Sequence, residues 1–163
     1  MNLYPKCYLK KVTKIDKEFL IKNNIKGLIL DVDNTLVDIN KVLSDEIIEW
    51  HRNIVKLGIK TMILSNSIHK SKVEKIAQKL EIDYINFAKK PFKCGFIKAR
   101  NKLELPFENI AMVGDQIFPD VVGANRVKMF SILVEPLSKT EPFRVKWKRS
   151  LEDIIIKRYL NRK

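Results

Sequence analysis

Asp31 and Asp33 stand one residue apart in "GLILDVDNTLVD", residues 27–38, where an aliphatic run ends. Two carboxylates this close repel each other unless a cation or a shared proton relieves them. Further along, Ser65 closes the run "IKTMILS", Lys90 precedes a proline in "AKKP", and Asp115 and Asp120 bracket "DQIFPD". Carboxylates, a hydroxyl and a lysine can attack an electrophile and move protons. A hard divalent ion suits Asp31, Asp33 and Asp115 better than zinc does, because no His or Cys lies in the pattern. His51 and His69 fall in helical stretches and read as surface histidines. A calcium loop is excluded: Thr35 and Leu36 occupy its fifth and sixth places, and Val42 stands where its glutamate belongs.

Strand-like and helix-like segments alternate around these residues. Buried strands are expected at 27–32, 59–65, 82–87, 109–115 and 128–136, each a short apolar run. Helices are expected at 44–57, 68–80, 93–104 and 118–126, with Ser44 as an N-cap and Pro119 in a first turn. A last helix is expected at about 150–162, with Leu151, Ile154, Ile155 and Tyr159 on one side. Strands joined by helices imply parallel pairing and right-handed crossovers. The fold class is therefore α/β, a three-layer Rossmann-like arrangement with a parallel sheet. Ligands bind such sheets at the carboxyl ends of the strands. Asp31, Ser65 and Asp115 all fall there, which places the paired carboxylates at a rim rather than in the core.

The chain of 163 residues suits one domain, with a core at about 25–136 between basic flanks. Its net charge is +13, from 32 Lys and Arg against 19 Asp and Glu. Residues 1–26 contribute +5 and residues 139–163 contribute +6. Such a balance attracts something anionic: a phosphorylated substrate, an anionic membrane surface or nucleic acid. A Lys-rich genome would give the same count. No apolar run approaches the about 18 residues of a membrane span, and the N-terminus lacks a signal-peptide core. Cys7 and Cys94 form no CxxC pair, so free thiols in a cytoplasmic setting are expected.

The segment "DVDNTL" resembles motif I of the haloacid dehalogenase (HAD) superfamily of phosphohydrolases, hhhDxDxT. Ser65 resembles the Ser/Thr of motif II, Lys90 the motif III lysine of the branch that writes it Lys-Pro, and "GDQIFPD" motif IV, GDxxxxD. Four elements in order, each at a strand end or helix start, make the match specific. The resemblance implies that Asp31 is a nucleophile forming an aspartyl phosphate and that Asp33 is the general acid and base. It implies Mg2+ held by the Asp31 carboxylate, the Asp33 carbonyl and Asp115, with Asp120 as a ligand or as the group orienting Lys90. Ser65 and Lys90 are then expected on the phosphoryl oxygens, together with Asn66 and backbone donors near Asn34. Thr35 either caps its turn or joins them. Lys89 is the alternative to Lys90, Ser67 reads as a helix cap, and Arg126 as structural.

One loop, one helix and one strand consume the chain from Asp31 to Ser65, and Ser65 to Lys90 holds one helix and one strand. Neither interval has room for the cap domain that larger superfamily members carry. Within the capless branch, "AKKP", "VGDQIFPDVVGANR" and "SILVEP" resemble the phosphatidylglycerophosphate phosphatases. That likeness implies an anionic lipid substrate and peripheral action at a membrane surface. The alternatives are a capless phosphatase of a soluble or protein-borne phosphate, and a non-enzymatic RNA-binding module. The second is disfavoured by the reactive side chains at all four motif positions and by the lack of an aromatic-rich strand.

Overall fold

The computed structural model describes residues 2–138 and 143–161, with side chains of the last helix described from Ser150 onward. Six parallel strands form one sheet: β1 (Cys7–Leu9), β2 (Gly27–Leu30), β3 (Lys60–Leu64), β4 (Asp83–Ile85), β5 (Ile110–Gly114) and β6 (Phe130–Val134). Their order is β1-β6-β5-β2-β3-β4. The helices are α1 (Lys17–Lys22), α2 (Asp45–Lys56), α3 (Lys70–Leu80), α4 (Lys93–Leu103), α5 (Val122–Arg126) and α6 (Phe143–Leu160). Every interval expected to hold a strand or helix after residue 26 holds one.

The sheet has two apolar faces because strand side chains alternate. Leu28, Leu30, Ile63, Ala111 and Val113 pack under α1, α2 and α3. Ile29, Met62, Leu64, Ile110 and Met112 pack under α4 and α5. These are the three expected layers, and no cap domain occurs among the described residues. The strand order reverses at β2, whose neighbours are β3 on one side and β5 on the other. Such a switch point opens a crevice at the carboxyl ends of the strands.

Two expectations change. Residues 1–26 are not a flank outside the core. They supply β1, paired with β6, and bury Val12, Ile15, Leu20 and Ile25. The Asn125 side chain fastens the N-terminal stretch further, donating to the Asn2 and Tyr4 carbonyls, 3.0 Å each. The last helix starts at Phe143, not near 150, and its apolar residues do not share one side. Glu152, Ile155, Ile156 and Tyr159 face the domain, whereas Leu151, Ile154 and Leu160 are exposed. Lys139, Glu141, Arg162 and Lys163 of the basic tail lie outside the described residues.

Candidate active site

Asp31 and Ser65 follow β2 and β3, Asp115 follows β5, and Lys90 comes from the loop between β4 and α4. All four are buried. The loop after β2 turns sharply at Asn34, whose φ is 59°, and the Val32 carbonyl accepts the N–H groups of Thr35, Leu36 and Val37. The Asn34 N–H donates to the Val37 carbonyl at 2.8 Å. The backbone donors expected to serve phosphate near Asn34 are thus used inside the turn. The Thr35 hydroxyl is buried there with no hydrogen-bond partner among the described residues.

Lys90 is the hub. Its ammonium donates to Asp31 Oδ1 at 2.6 Å and to Asp120 Oδ1 at 2.7 Å. Lys90 also bonds Asn66 in both directions: its N–H donates to Asn66 Oδ1 at 2.7 Å, and its carbonyl accepts from Asn66 Nδ2 at 2.9 Å. The Asn66 carboxamide, expected on phosphate, holds the lysine's backbone, and Asn66 also lines the cleft described below. Arg126 donates to the Pro91 carbonyl at 3.3 Å, in keeping with a structural role. Ser65 Oγ accepts from the Ser67 N–H at 3.1 Å, and Ser67 Oγ from the His69 N–H at 3.1 Å. Ser67 thus braces the turn ahead of α3 but is not its expected cap: His69 holds the N-cap position, with no side-chain cap bond. Lys89 turns away, its ammonium 5.3 Å from the centre of the Phe87 ring.

Asp120 lies in a π-helical turn, Ile117–Val121, where a regular helical start is expected from the sequence. Pro119 has no N–H to give, and such wide turns gather at functional sites. Asp120 Oδ2 accepts from the Gln116 N–H at 3.2 Å. Gly114 is necessary because a Cβ there would overlap the Asp120 carboxylate. The same amino-terminal end of the turn is held by Glu152 of α6, whose Oε1 accepts from the N–H of Ile117 at 2.8 Å and of Phe118 at 3.2 Å. Sequence reasoning missed Glu152. Its signal was an acid at helical spacing with Ile155, Ile156 and Tyr159 in a basic tail.

Oxygens of Asp31, Asp115 and Asp120 all lie within 4.8 Å of one another. Burial pushes the Asp31 carboxyl up to about 6; Lys90 pulls it down, and Asp120 adds to the rise. Burial alone would lower the Lys90 ammonium, but Asp120 and Asp31 more than reverse this and hold it above its ordinary value. Three carboxylates and one ammonium leave two negative charges buried together. An all-oxygen donor set with that surplus fits a hard divalent ion.

Asp33 sits apart from this trio and is half-exposed. Its Oδ1 accepts from Lys41 at 3.0 Å and from Lys72. Burial pushes its carboxyl up, yet the two ammoniums outweigh burial and hold it below its ordinary value. Neither lysine stands out in a sequence with 32 basic residues. Asp31, Asp33, Ser65, Lys90 and Asp120 line a cleft of about 90 Å3, large enough for a phosphoryl group but not for a whole metabolite. A cavity of about 750 Å3 lies at the opposite, amino end of the sheet and includes none of these residues.

His51 corrects one expectation. It is buried, not superficial, with Nε2 2.8 Å from the Thr61 hydroxyl, and burial lowers its pKa.

Residues 1–137 match the family described as mitochondrial PGP phosphatase. The chain belongs to that family. It is 34% identical over 153 residues to the "Probable phosphatase YqeG" of Bacillus subtilis (strain 168), covering 93% of this chain and 88% of the relative. It is 29% identical over 171 residues to the phosphatidylglycerophosphate phosphatase 1, chloroplastic/mitochondrial, of Arabidopsis thaliana, covering 97% of this chain but 48% of that protein. The fold resembles the cobalt-bound deoxy-D-mannose-octulosonate 8-phosphate phosphatase of Haemophilus influenzae, with TM-score 0.56, 16% identity, and 84% and 90% of the two chains covered. An uncharacterized Listeria monocytogenes protein aligns with TM-score 0.58 at 18% identity, over 81% of this chain and 97% of that one. This PGP phosphatase family member is thus a HAD-type phosphatase, and Asp31, Asp33, Ser65, Lys90 and Asp120 of its motifs line one cleft.

Proposed function

We propose that this phosphatase hydrolyses a phosphomonoester through an aspartyl phosphate on Asp31, with Mg2+ as cofactor, and that its substrate is phosphatidylglycerophosphate at a membrane surface. The carrying observation is the position of Asp31. Its carboxylate borders a cleft of phosphoryl size and lies 2.6 Å from a buried ammonium.

In this reading an Asp31 oxygen attacks phosphorus. The bond to the leaving oxygen breaks, and that oxygen takes a proton from Asp33, which is protonated only when the substrate draws Lys41 and Lys72 off its carboxylate. The Asp33 carboxylate then takes a proton from water as the water attacks the phosphoaspartate. Phosphate leaves, and Asp31 and Asp33 return to their starting states. Lys90 and the Ser65 hydroxyl hold the phosphoryl oxygens, and Asp120 keeps Lys90 aimed. Asp31, Asp115 and the Asp33 carbonyl would hold the divalent ion, which offsets repulsion between carboxylate and phosphate.

The lipid assignment is supported by the rim of the cleft. Ile39, Val42, Ile68, Phe87, Phe92 and Leu137 are all exposed, and all lie in loops at the carboxyl edge of the sheet. Exposed Lys41, Lys70, Lys89 and Lys93 stand among them. An apolar rim set with cations matches an anionic bilayer. No helix among the described residues is long and apolar enough to cross a membrane.

The test compares turnover of an aryl phosphate and of phosphatidylglycerophosphate, with Mg2+ or with a chelator, in parent and Asp31→Asn proteins. Both activities should need Mg2+ and vanish in the variant. Mg2+ should also raise the melting temperature of the parent but not of Asp115→Asn. Undiminished hydrolysis by Asp31→Asn would remove the nucleophile assignment. Aryl phosphate turnover without lipid turnover would leave a phosphatase of soluble or protein-borne phosphates.

A further inference from the structure

A pair of ammoniums separates the phosphoryl cleft from α3. Lys41 and Lys72 both bond Asp33 Oδ1, one from the loop after β2 and one from the first turn of the helix. Behind them lies a second cavity of about 320 Å3, whose lining includes Lys41, Leu43, Lys72, Lys75, Ile76 and Lys79. No carboxylate lines it. Lys72, Lys75, Ile76 and Lys79 fall on one face of α3. Lys41, Lys75 and Lys79 are exposed and Lys72 is half-buried, so the cavity is open to a ligand from solvent. Here the loop folds back over that face, Leu43 and Ile76 are buried as an apolar floor, and Lys41 is delivered from a backbone turned to φ 64°. Four like charges around one cavity repel, and Asp33 offsets only one of them.

Asp33 faces the leaving oxygen in the proposed reaction, and a role for the lysine cavity in substrate choice rests on that assignment. A group attached to the leaving oxygen must pass Asp33, and it meets Lys41 and Lys72 first. We propose that Lys41, Lys72, Lys75 and Lys79 form a second anion subsite, which receives a phosphate or phosphodiester carried by the leaving group. The cleft holds the phosphoryl group to be removed, and the lysine cavity reads a second one. Substrates with two phosphates on a short polyol are thereby preferred over substrates with one. Specificity sits in this chain's own lysines, not in a cap.

Three substrates share the same scissile phosphomonoester. Glycerol 3-phosphate has an uncharged leaving group. Glycerophosphoglycerol phosphate has a phosphodiester in its leaving group but no acyl chains. Phosphatidylglycerophosphate in detergent micelles has both. The kcat/KM of each is measured for the parent, Lys75→Ala/Lys79→Ala and Lys75→Arg/Lys79→Arg. These two lysines do not touch Asp33. The soluble diester compound should exceed glycerol 3-phosphate by at least about tenfold, since charged hydrogen bonds carry energies of that order. That ratio should fall toward one in the alanine variant and persist in the arginine variant. A ratio near one in the parent, a ratio the alanine variant leaves unmoved, or a gain confined to the lipid would overturn the subsite.

Binding of the two soluble compounds to Asp31→Asn, followed by calorimetry, separates this proposal from the catalytic one. Tighter binding of the diester compound that depends on Lys75 and Lys79 supports the subsite whatever the rate. Equal binding overturns it. If the parent turns over nothing, the catalytic assignment fails and the calorimetry still decides the subsite.

Discussion

Gly114 has no side chain, and the Asp120 carboxylate uses the space. Gly114→Ala should therefore displace Asp120 and, with it, one of the two anchors of Lys90. We expect aryl phosphate turnover to fall at least about tenfold while circular dichroism stays that of the parent, since one misplaced group of this kind has effects of that size. Turnover equal to the parent's would show that Asp120 is not needed where it sits. Lys90→Met keeps the length and removes the ammonium between two buried carboxylates. Breaking a buried pair by removing one partner costs about 3–5 kcal/mol. For a chain of this size that is a loss of about 10 °C in melting temperature, and an unchanged melting temperature would mean that the pair is not ionised. Asp31, Asp33, Ser65 and Asp115 were legible in the sequence because each ends or follows an apolar run at a strand end, whereas Lys90 and Asp120 were legible only through their likeness to motifs III and IV. The two asparagines were legible as site residues but not in their contacts. The Asn66 amide turns to the Lys90 backbone and Asn34 serves the turn through its own main chain, and no spacing rule shows which partner a short amide will find. Lys41 and Lys72 were illegible for another reason: a lysine among many carries no pattern until the chain folds it against a carboxylate.

The π-helical turn that carries Asp120 has its first N–H groups held by two carboxylates, Gln116 by Asp120 itself and Ile117 and Phe118 by Glu152 of α6. A helix distant in sequence thus supports the turn that carries Asp120. Glu152→Ala would leave the Ile117 and Phe118 N–H groups without that acceptor, at a cost of about 1–3 kcal/mol. We expect a melting temperature lower by several degrees and a loss of turnover, with Glu152→Gln between parent and alanine because its carbonyl still accepts. Equal melting curves for all three proteins would show that the cap is idle. A second test belongs to the contact between α2 and β3. His51 is buried between them, and burial lowers its pKa from the ordinary 6.5. The unfolded chain therefore binds the proton more readily than the folded one, so stability is lost as pH falls below about 6.5. His51→Gln should lose less stability than the parent between pH 7 and 5 in urea unfolding, and parallel curves would contradict this. The elements after residue 26 could be read from hydrophobic period. β1 could not, because a three-residue strand has no period and its partner β6 comes much later in the chain. The buried side of α6 was misread because its inward glutamate breaks an otherwise apolar pattern.

Across the molecule, the expected basic flanks have different fates. The N-terminal one is built into the sheet, so its lysines decorate a folded surface. The proposed anionic membrane surface would be better matched by the rim at the carboxyl edge, where Phe92 is 65% exposed and Ile68 71%. Co-sedimentation with phosphatidylglycerol vesicles should be strong at low salt and weaken as salt rises, because exposed charges are screened beyond about 8 Å at physiological ionic strength. Phe87→Asp/Phe92→Asp should weaken it further while aryl phosphate turnover persists. Binding unaffected by this double variant would move the contact surface elsewhere. The pairing of β1 with β6 also sets an order of events during synthesis. Lys6 and Ser131 are hydrogen-bonded across a separation of 125 residues. A ribosome adding about 5–20 residues per second needs on the order of ten seconds to cover that stretch. Throughout that time the edge strand waits for the neighbour that will receive it, and Glu152 is made later still. The nascent chain therefore carries Asp31 long before Glu152 can hold the turn of Asp120, so if Asp31 is the nucleophile, activity is expected to arrive only with the tail.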